Sequence, residues 1–157
     1  MRTTAKVDYA VRAGVELARA AGKPSGHPEP LTRRAIADAQ AIPAKFLEHI
    51  LADLKRSGIV GSVRGADGGY WLSRPADEIT VADVIRAVEG PLADVRGVRP
   101  DALDYGDDLA ALQRTWVAVR ANLRSVLERV TLADLRDGRL DPAVDALAED
   151  PDAWASR

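Results

Sequence analysis

Lys45, Glu48 and His49 stand at i, i+3 and i+4 within the stretch from Ile42 to Leu54, so a helix over these residues carries them on one face. An ammonium and an imidazole there can meet base edges or phosphates, and a carboxylate can accept from cytosine N4. A second group follows at Arg64, Gly65, Gly68, Gly69 and Tyr70. An arginine at the tip of a glycine-rich hairpin suits a narrow minor groove, where the negative potential is enhanced. Both patterns point to nucleic acid.

Catalysis fits poorly. The chain has two histidines and no cysteine; His27 falls in a Pro-rich loop and His49 on the candidate DNA face. The glycines between 65 and 69 lie between strands and do not precede a helix as a phosphate-cradling loop does. Asp104, Asp107 and Asp108 cluster three carboxylates, which helix capping and solvation explain better than a cation. We expect no catalytic residues, no metal ligands and no cofactor.

The elements that must position the first group read as a helix-turn-helix and wing. Thr3 or Thr4 caps a first helix to about Ala21, with an apolar stripe at Val7, Ala10, Val11, Gly14, Leu17, Ala18 and Ala21. Lys23 to Pro30 holds three prolines and reads as a loop. Thr32 caps the next helix, with Leu31 and Ile36 as a hydrophobic staple, and Ala41-Ile42 forms the turn. Pro43 suits the start of the second helix. Phe46, Leu47, Ile50, Leu51 and Leu54 make its buried face, while Ala44, Lys45, Glu48 and His49 lie opposite. Ser57-Gly58 ends it, and strands over 59–64 and 70–73 form the wing, the intervening glycines permitting positive φ. Thr32 and Tyr70 complete the DNA-facing set, and Lys55, Arg56 and Arg74 flank it as candidate phosphate contacts.

Thr80 and Asp83 form a capping box for a helix from Val81 to Glu89, which closes on Gly90-Pro91. Residues 92–106 show no period. Leu109, Leu112, Trp116, Val119, Leu123, Val126 and Val130 then recur at alternating steps of three and four. That heptad seam runs for roughly 33 Å of helix and suits a homodimer contact, since a symmetric operator needs two heads. Thr131 with Asp134 starts a final short turn, and Asp141-Pro142 can cap one more.

The chain is 157 residues long, with 46% hydrophobic and 29% charged residues, a globular balance. The expected fold is mainly α with a small β-hairpin. It divides into a winged head (1–78), a dimerisation and effector region (79–136, long helix about 108–130) and an acidic, partly disordered tail (137–157). Residues 1–75 hold 12 Lys and Arg against 7 Asp and Glu, and residues 76–157 hold 10 against 17, so only the front half suits a polyanion. No apolar run approaches a membrane span; with no cysteine, the cytoplasm is the expected compartment. A winged module that touches protein in place of DNA is the alternative, supported by the net charge of −2.

With these motifs assembled, the chain resembles the Rrf2 family of bacterial winged-helix transcription regulators. The likeness covers Met1 to about Leu135. It rests on the opening Met1 to Val11, on Ile42 to Leu54, on Val63 to Tyr70, on Ile79 to Pro91 and on Thr131 to Leu135. It implies a homodimeric repressor with two winged heads on a near-palindromic operator. Lys45, Glu48, His49 and Arg64 with its glycines would contact DNA, and Arg2 and Lys6 would lie near the phosphates. Many members hold an iron–sulfur cluster through three cysteines between the Gly-Pro motif and the long helix; residues 92–108 contain none. The chain is similar to the cysteine-free branch, for which the resemblance implies a protein partner, cysteine synthase. The alternative is a small-molecule pocket lined by Arg96, Arg99, Tyr105 and Trp116.

Overall fold

Four threonines set where helices begin. Thr4 accepts from the Val7 amide at the start of α1 (Ala5–Ala21), and Thr32 from the Ala35 amide at the start of α2 (Arg33–Gln40). Thr80 with Asp83, and Thr131 with Asp134, form reciprocal capping boxes that open α4 (Val81–Glu89) and α6 (Leu132–Asp137). Each satisfies amides that the first turn leaves unpaired. The computed structural model describes residues 3–22, 29–65 and 68–155. Arg2, His27 and the wing tip Ala66-Asp67 lie outside them.

Between α2 and α4 run α3 (Ala44–Arg56), β1 (Val60–Val63) and β2 (Gly69–Leu72), the strands antiparallel with Val60 opposite Leu72 and Val63 opposite Gly69. Leu31 forms an antiparallel bridge to the other edge of β2, exchanging both backbone hydrogen bonds with Tyr70 at 2.9 and 2.8 Å. The turn between α2 and α3 passes through Ala41 at φ +50°, and the Ile42 amide reaches back to the Ala37 carbonyl at 3.0 Å. A left-handed alanine is strained by about 1–2 kcal/mol, held here by Ile42 burying its side chain.

Helix α1 lies at the centre, packed on α2, α3, α4, α6 and β2. Its inward residues are small: Ala10, Ala13, Gly14 and Ala18 are fully enclosed. A Cβ on Gly14 would meet the Leu132 side chain at 3.0 Å. Ile36, Leu47, Ile50, Leu51, Leu54, Val84 and Leu132 close the core around it, which holds no polar or charged residue among those described.

The core does not break at the expected boundary of 78/79. Ile79, Val84, Val88 and Leu132 belong to the same cluster as α1. The Val81 amide donates to Val130 and the Leu132 amide to Ile79, at 2.8 and 2.9 Å, so the chain leaves the head after α4 and rejoins it at α6. Outside stand residues 91–129, including α5 (Ala110–Leu127), none of whose residues is buried within the chain. Residues 137–157, expected as a tail with one short helix, hold α7 (Pro142–Glu149) and α8 (Pro151–Trp154). No helix among the described residues is long and apolar enough to cross a membrane.

One strut ties α5 back to the head. Glu128 accepts from Arg124 at 2.9 Å and from Arg86 of α4. These guanidiniums, Arg124 first, hold its carboxyl down at about 2. The folded value lies below the ordinary one, so the stabilisation is complete above the usual carboxylate range and fades as pH falls toward about 2. Glu128→Gln, which resembles the protonated acid, should therefore melt below the wild type at neutral pH and converge with it in strong acid. Circular dichroism melts across pH read this directly; a constant gap at every pH contradicts the strut.

Candidate nucleic-acid interface

Because α3 buries Leu47, Ile50, Leu51 and Leu54, its opposite face must be wet. Ala44, Lys45, Glu48 and His49 are all exposed there. The Nδ1 atom of His49 lies 3.0 Å from the Lys45 carbonyl, which makes it the protonated nitrogen and leaves Nε2 to face outward. Lys45 has no ion pair among the described residues. Pro43 offers no side-chain cap, so the first-turn amides of α3 are free for an external acceptor. Thr32 is exposed, its hydroxyl held at the start of α2.

Glu48 has a partner within the chain. It pairs with Arg33 across the turn at 2.9 Å, which joins α2 to α3 and occupies the carboxylate proposed for cytosine. Phe46, expected in the core, is half exposed and meets the Tyr9 ring edge-on at 6.0 Å. Arg12 lies over the other side of that system, 5.6 Å from the Tyr9 centroid, and donates to the Gln40 carbonyl. The helical period places Phe46 on the flank toward α1, not on the centre of the apolar stripe.

The wing presents Arg64 to solvent with no ion pair among the described residues, followed by Gly65 at φ +119°. Gly68 and Gly69 are glycines for another reason than the positive φ expected. Added Cβ atoms would lie 2.6 Å from the Val63 carbonyl and 2.7 Å from that of Leu31. Gly69 is buried and Tyr70 half-buried against the core. Gly69 therefore supports the wing from behind and as a direct DNA contact is corrected, while Tyr70 packs on the core and keeps part of its surface exposed.

The other candidate cations are tied within the chain. Lys6 donates to the Val88 carbonyl at 2.7 Å and pairs with Asp53 at 2.8 Å; with Arg56 it holds the Asp53 carboxyl below its usual range. Lys6 thus joins α1 to α3 and α4 and does not point freely to a phosphate. Lys55 donates to Ser62 at 2.7 Å, and Arg74 to the Glu78 carbonyl at 2.8 Å. Sequence reasoning passed over Arg33 and Arg34, both exposed in the first turn of α2, which holds no acid of its own; they pair with Glu48 at 2.9 Å and with Asp38 at 3.6 Å. Cations at the positive end of a helix are unfavourable without an external anion, and that mismatch was the available signal.

Away from the head, the expected effector residues find different partners. Arg96 lies over the Tyr105 ring at 5.9 Å, Arg99 gives both ends of its guanidinium to Asp101 at 3.1 and 2.6 Å, and Trp116 is half-buried on α5. In the seam, Leu109 and Val119 are exposed, and Leu112, Trp116, Leu123 and Val126 partly so. Val130 is the exception: it lies past the end of α5 and is buried where the chain rejoins α4, so it is corrected from interface to core.

A helix-turn-helix with an exposed second helix, backed by a hairpin wing, defines a winged-helix DNA-binding head. The chain belongs to the Rrf2 family, described as iron-dependent transcriptional regulators, whose sequence profile matches residues 3–138. A Mycobacterium tuberculosis protein assigned to the HTH-type transcriptional regulators is 47% identical over 150 residues, covering 96% of this chain and 90% of that one. The regulator CymR of Bacillus subtilis is 32% identical over 135 residues, 86% of this chain and 89% of that one. Its solved structure, described as that of the global cysteine regulator, superposes with TM-score 0.70 over 88% of this chain and 98% of that one at 30% identity. The IscR structure from T. potens gives 0.66 over 100% and 93% at 29% identity. These relatives are transcriptional regulators, not enzymes.

The family's iron finds no matching donors here. The chain has no cysteine to supply thiolates. Asp94 and Asp104 accept from the Gly97 and Gly106 amides, at 3.1 and 2.8 Å. No group of three His, Asp or Glu able to hold a metal occurs among the described residues.

The close approach of β2 to Leu31 makes a prediction. Gly69→Ala must push the two backbones apart and should cost about 1–3 kcal/mol, seen as a lower urea midpoint at unchanged slope. An unaltered midpoint would show that the Leu31 bridge does not hold the wing.

Proposed function

We propose that the protein is a homodimeric repressor that occupies a near-palindromic operator and works without an iron–sulfur cluster. The observation that carries this reading is the sorting of its cations. Among the described residues Lys45 and Arg64 are exposed and without an ion pair, one on the outer face of α3 and one on the wing, while Lys6, Lys55 and Arg74 are held by the chain itself. In this reading Lys45 and the outward Nε2 of His49 enter the major groove beside Ala44, and Arg64 reaches the minor groove. Glu48 holds Arg33 and with it the angle between α2 and α3. The basic first turn of α2, with Thr32, faces a phosphate.

The second copy docks on α5. Val119, Asn122, Leu123, Val126 and Leu127 line an open, largely apolar groove of about 340 Å³, continuous with the seam through Leu112 and Trp116. A helix with no residue buried in its own chain and an unbroken run of apolar a and d positions is completed by an identical helix. In place of a cluster, control comes from a protein or small-molecule effector.

Two measurements test this. Arg64→Ala should weaken binding to a selected operator by about tenfold, within the 1–3 kcal/mol of a base contact. It should also lower the slope of log affinity on log salt by about one for each phosphate that is no longer neutralised. Unchanged anisotropy titrations contradict the wing's role. Leu123→Asp should convert a dimer to a monomer in sedimentation velocity at micromolar concentration; a wild type that already sediments as a monomer removes the α5 interface.

A further inference from the structure

Where α4 ends and the chain turns at Gly90-Pro91, a cavity of about 350 Å³ opens, lined by Arg86, Gly90, Pro91, Leu92 and Arg120. Arg120 sits on α5 with its side chain 22% exposed, and its Nε is buried without a hydrogen-bond partner. Among the described residues its ion pair is long, 3.6 Å to Asp101. That carboxylate already accepts two shorter bonds from Arg99. A buried, charged donor left unpaired is costly, and protein interiors rarely keep one without a reason.

The arginines paired in this region outnumber the carboxylates that they share. Arg74 and Arg86 pair with Asp83, Arg86 and Arg124 with Glu128, and Arg99 and Arg120 with Asp101. Five guanidiniums thus share three carboxylates. The shared acids respond accordingly, with Asp101 and Glu128 both held below their ordinary range by these arginines. Two of the five, Arg86 and Arg120, line the space.

We propose that this cavity is a binding site for a small oxyanion, a carboxylate or phosphate group of a metabolite, held between Arg86 and Arg120. The guanidinium fork matches both groups. Pro91 and the buried Leu92 give the rest of the molecule an apolar wall. The volume lies at the small end of ligand sites, which suits a small metabolite. An anion here bridges α4, which belongs to the core of the head, to α5, which does not. If two heads are joined through α5 as proposed above, the ligand biases their relative setting; that consequence rests on the operator reading, whereas the site does not.

The test uses the full chain without DNA. Inorganic phosphate and, separately, succinate are titrated at ionic strength held constant with chloride, followed by calorimetry and by amide NMR shifts. Saturable binding is expected with at least one of the two, with shifts centred on Gly90 and Leu92, and the preferred probe identifies the group recognised. Arg120→Gln should weaken it at least tenfold, while Arg129→Gln, whose partner is Asp141, should leave it unchanged. Should Arg120→Gln not fold, the location of the wild-type shifts decides. No saturable response to either anion, shifts centred elsewhere, or equal binding by a folded Arg120→Gln overturns the proposal. Because no DNA is present, its failure leaves the operator reading standing, and failure of operator binding leaves the site standing.

Discussion

Everything in the head depends on how closely other elements approach α1. Four enclosed small residues, Ala10, Ala13, Gly14 and Ala18, let α2, α3, α4 and α6 reach the same helix from different sides. The tightest point is Gly14 against Leu132. Larger side chains would separate these helices and force the core to rearrange. With α1 fixed, α3 has one apolar face to bury, and the face bearing Lys45 and His49 is left outside. The same packing draws α6 back to the head, so the segment 91–129 that carries α5 leaves the head after α4 and returns to it at α6.

Electrostatics refines what packing exposes. The chain as a whole is slightly acidic, and most of its arginines and lysines near the head have a carboxylate or carbonyl partner within it. Paired cations contribute little to nonspecific attraction, so affinity must come from the few that remain free and from the geometry that aims them. Such a surface favours a reader that depends on shape and sequence over one that coats DNA by charge alone.

Local chemistry in the sequence was a good guide to local structure. The caps at Thr32, Thr80 and Thr131 need only residues three positions on, and all three stand where the sequence places them. The wing strands and the exposed face of α3 were legible for the same reason. What was not legible depends on residues far apart in the chain. Lys6 looks like a free cation until Asp53 and Val88 are brought to it. Gly69 looks like a turn residue until Leu31 passes behind it. Val130 continues the heptad in spacing, but the chain has left α5 and turned to pair with Val81. The arginines of the α4–α5 cavity carry no motif at all, because what marks them is an unpaired atom and partners shared with other arginines.

The central claim is that two such heads, joined through α5, read a two-fold symmetric site. Selection of bound sequences from random duplex DNA, followed by hydroxyl-radical footprinting on the winner, tests it most directly. The account predicts an inverted repeat with two equal protected patches whose centres lie about one helical turn apart, or a multiple of it. A single unsymmetric patch, or no enriched sequence at all, would contradict it.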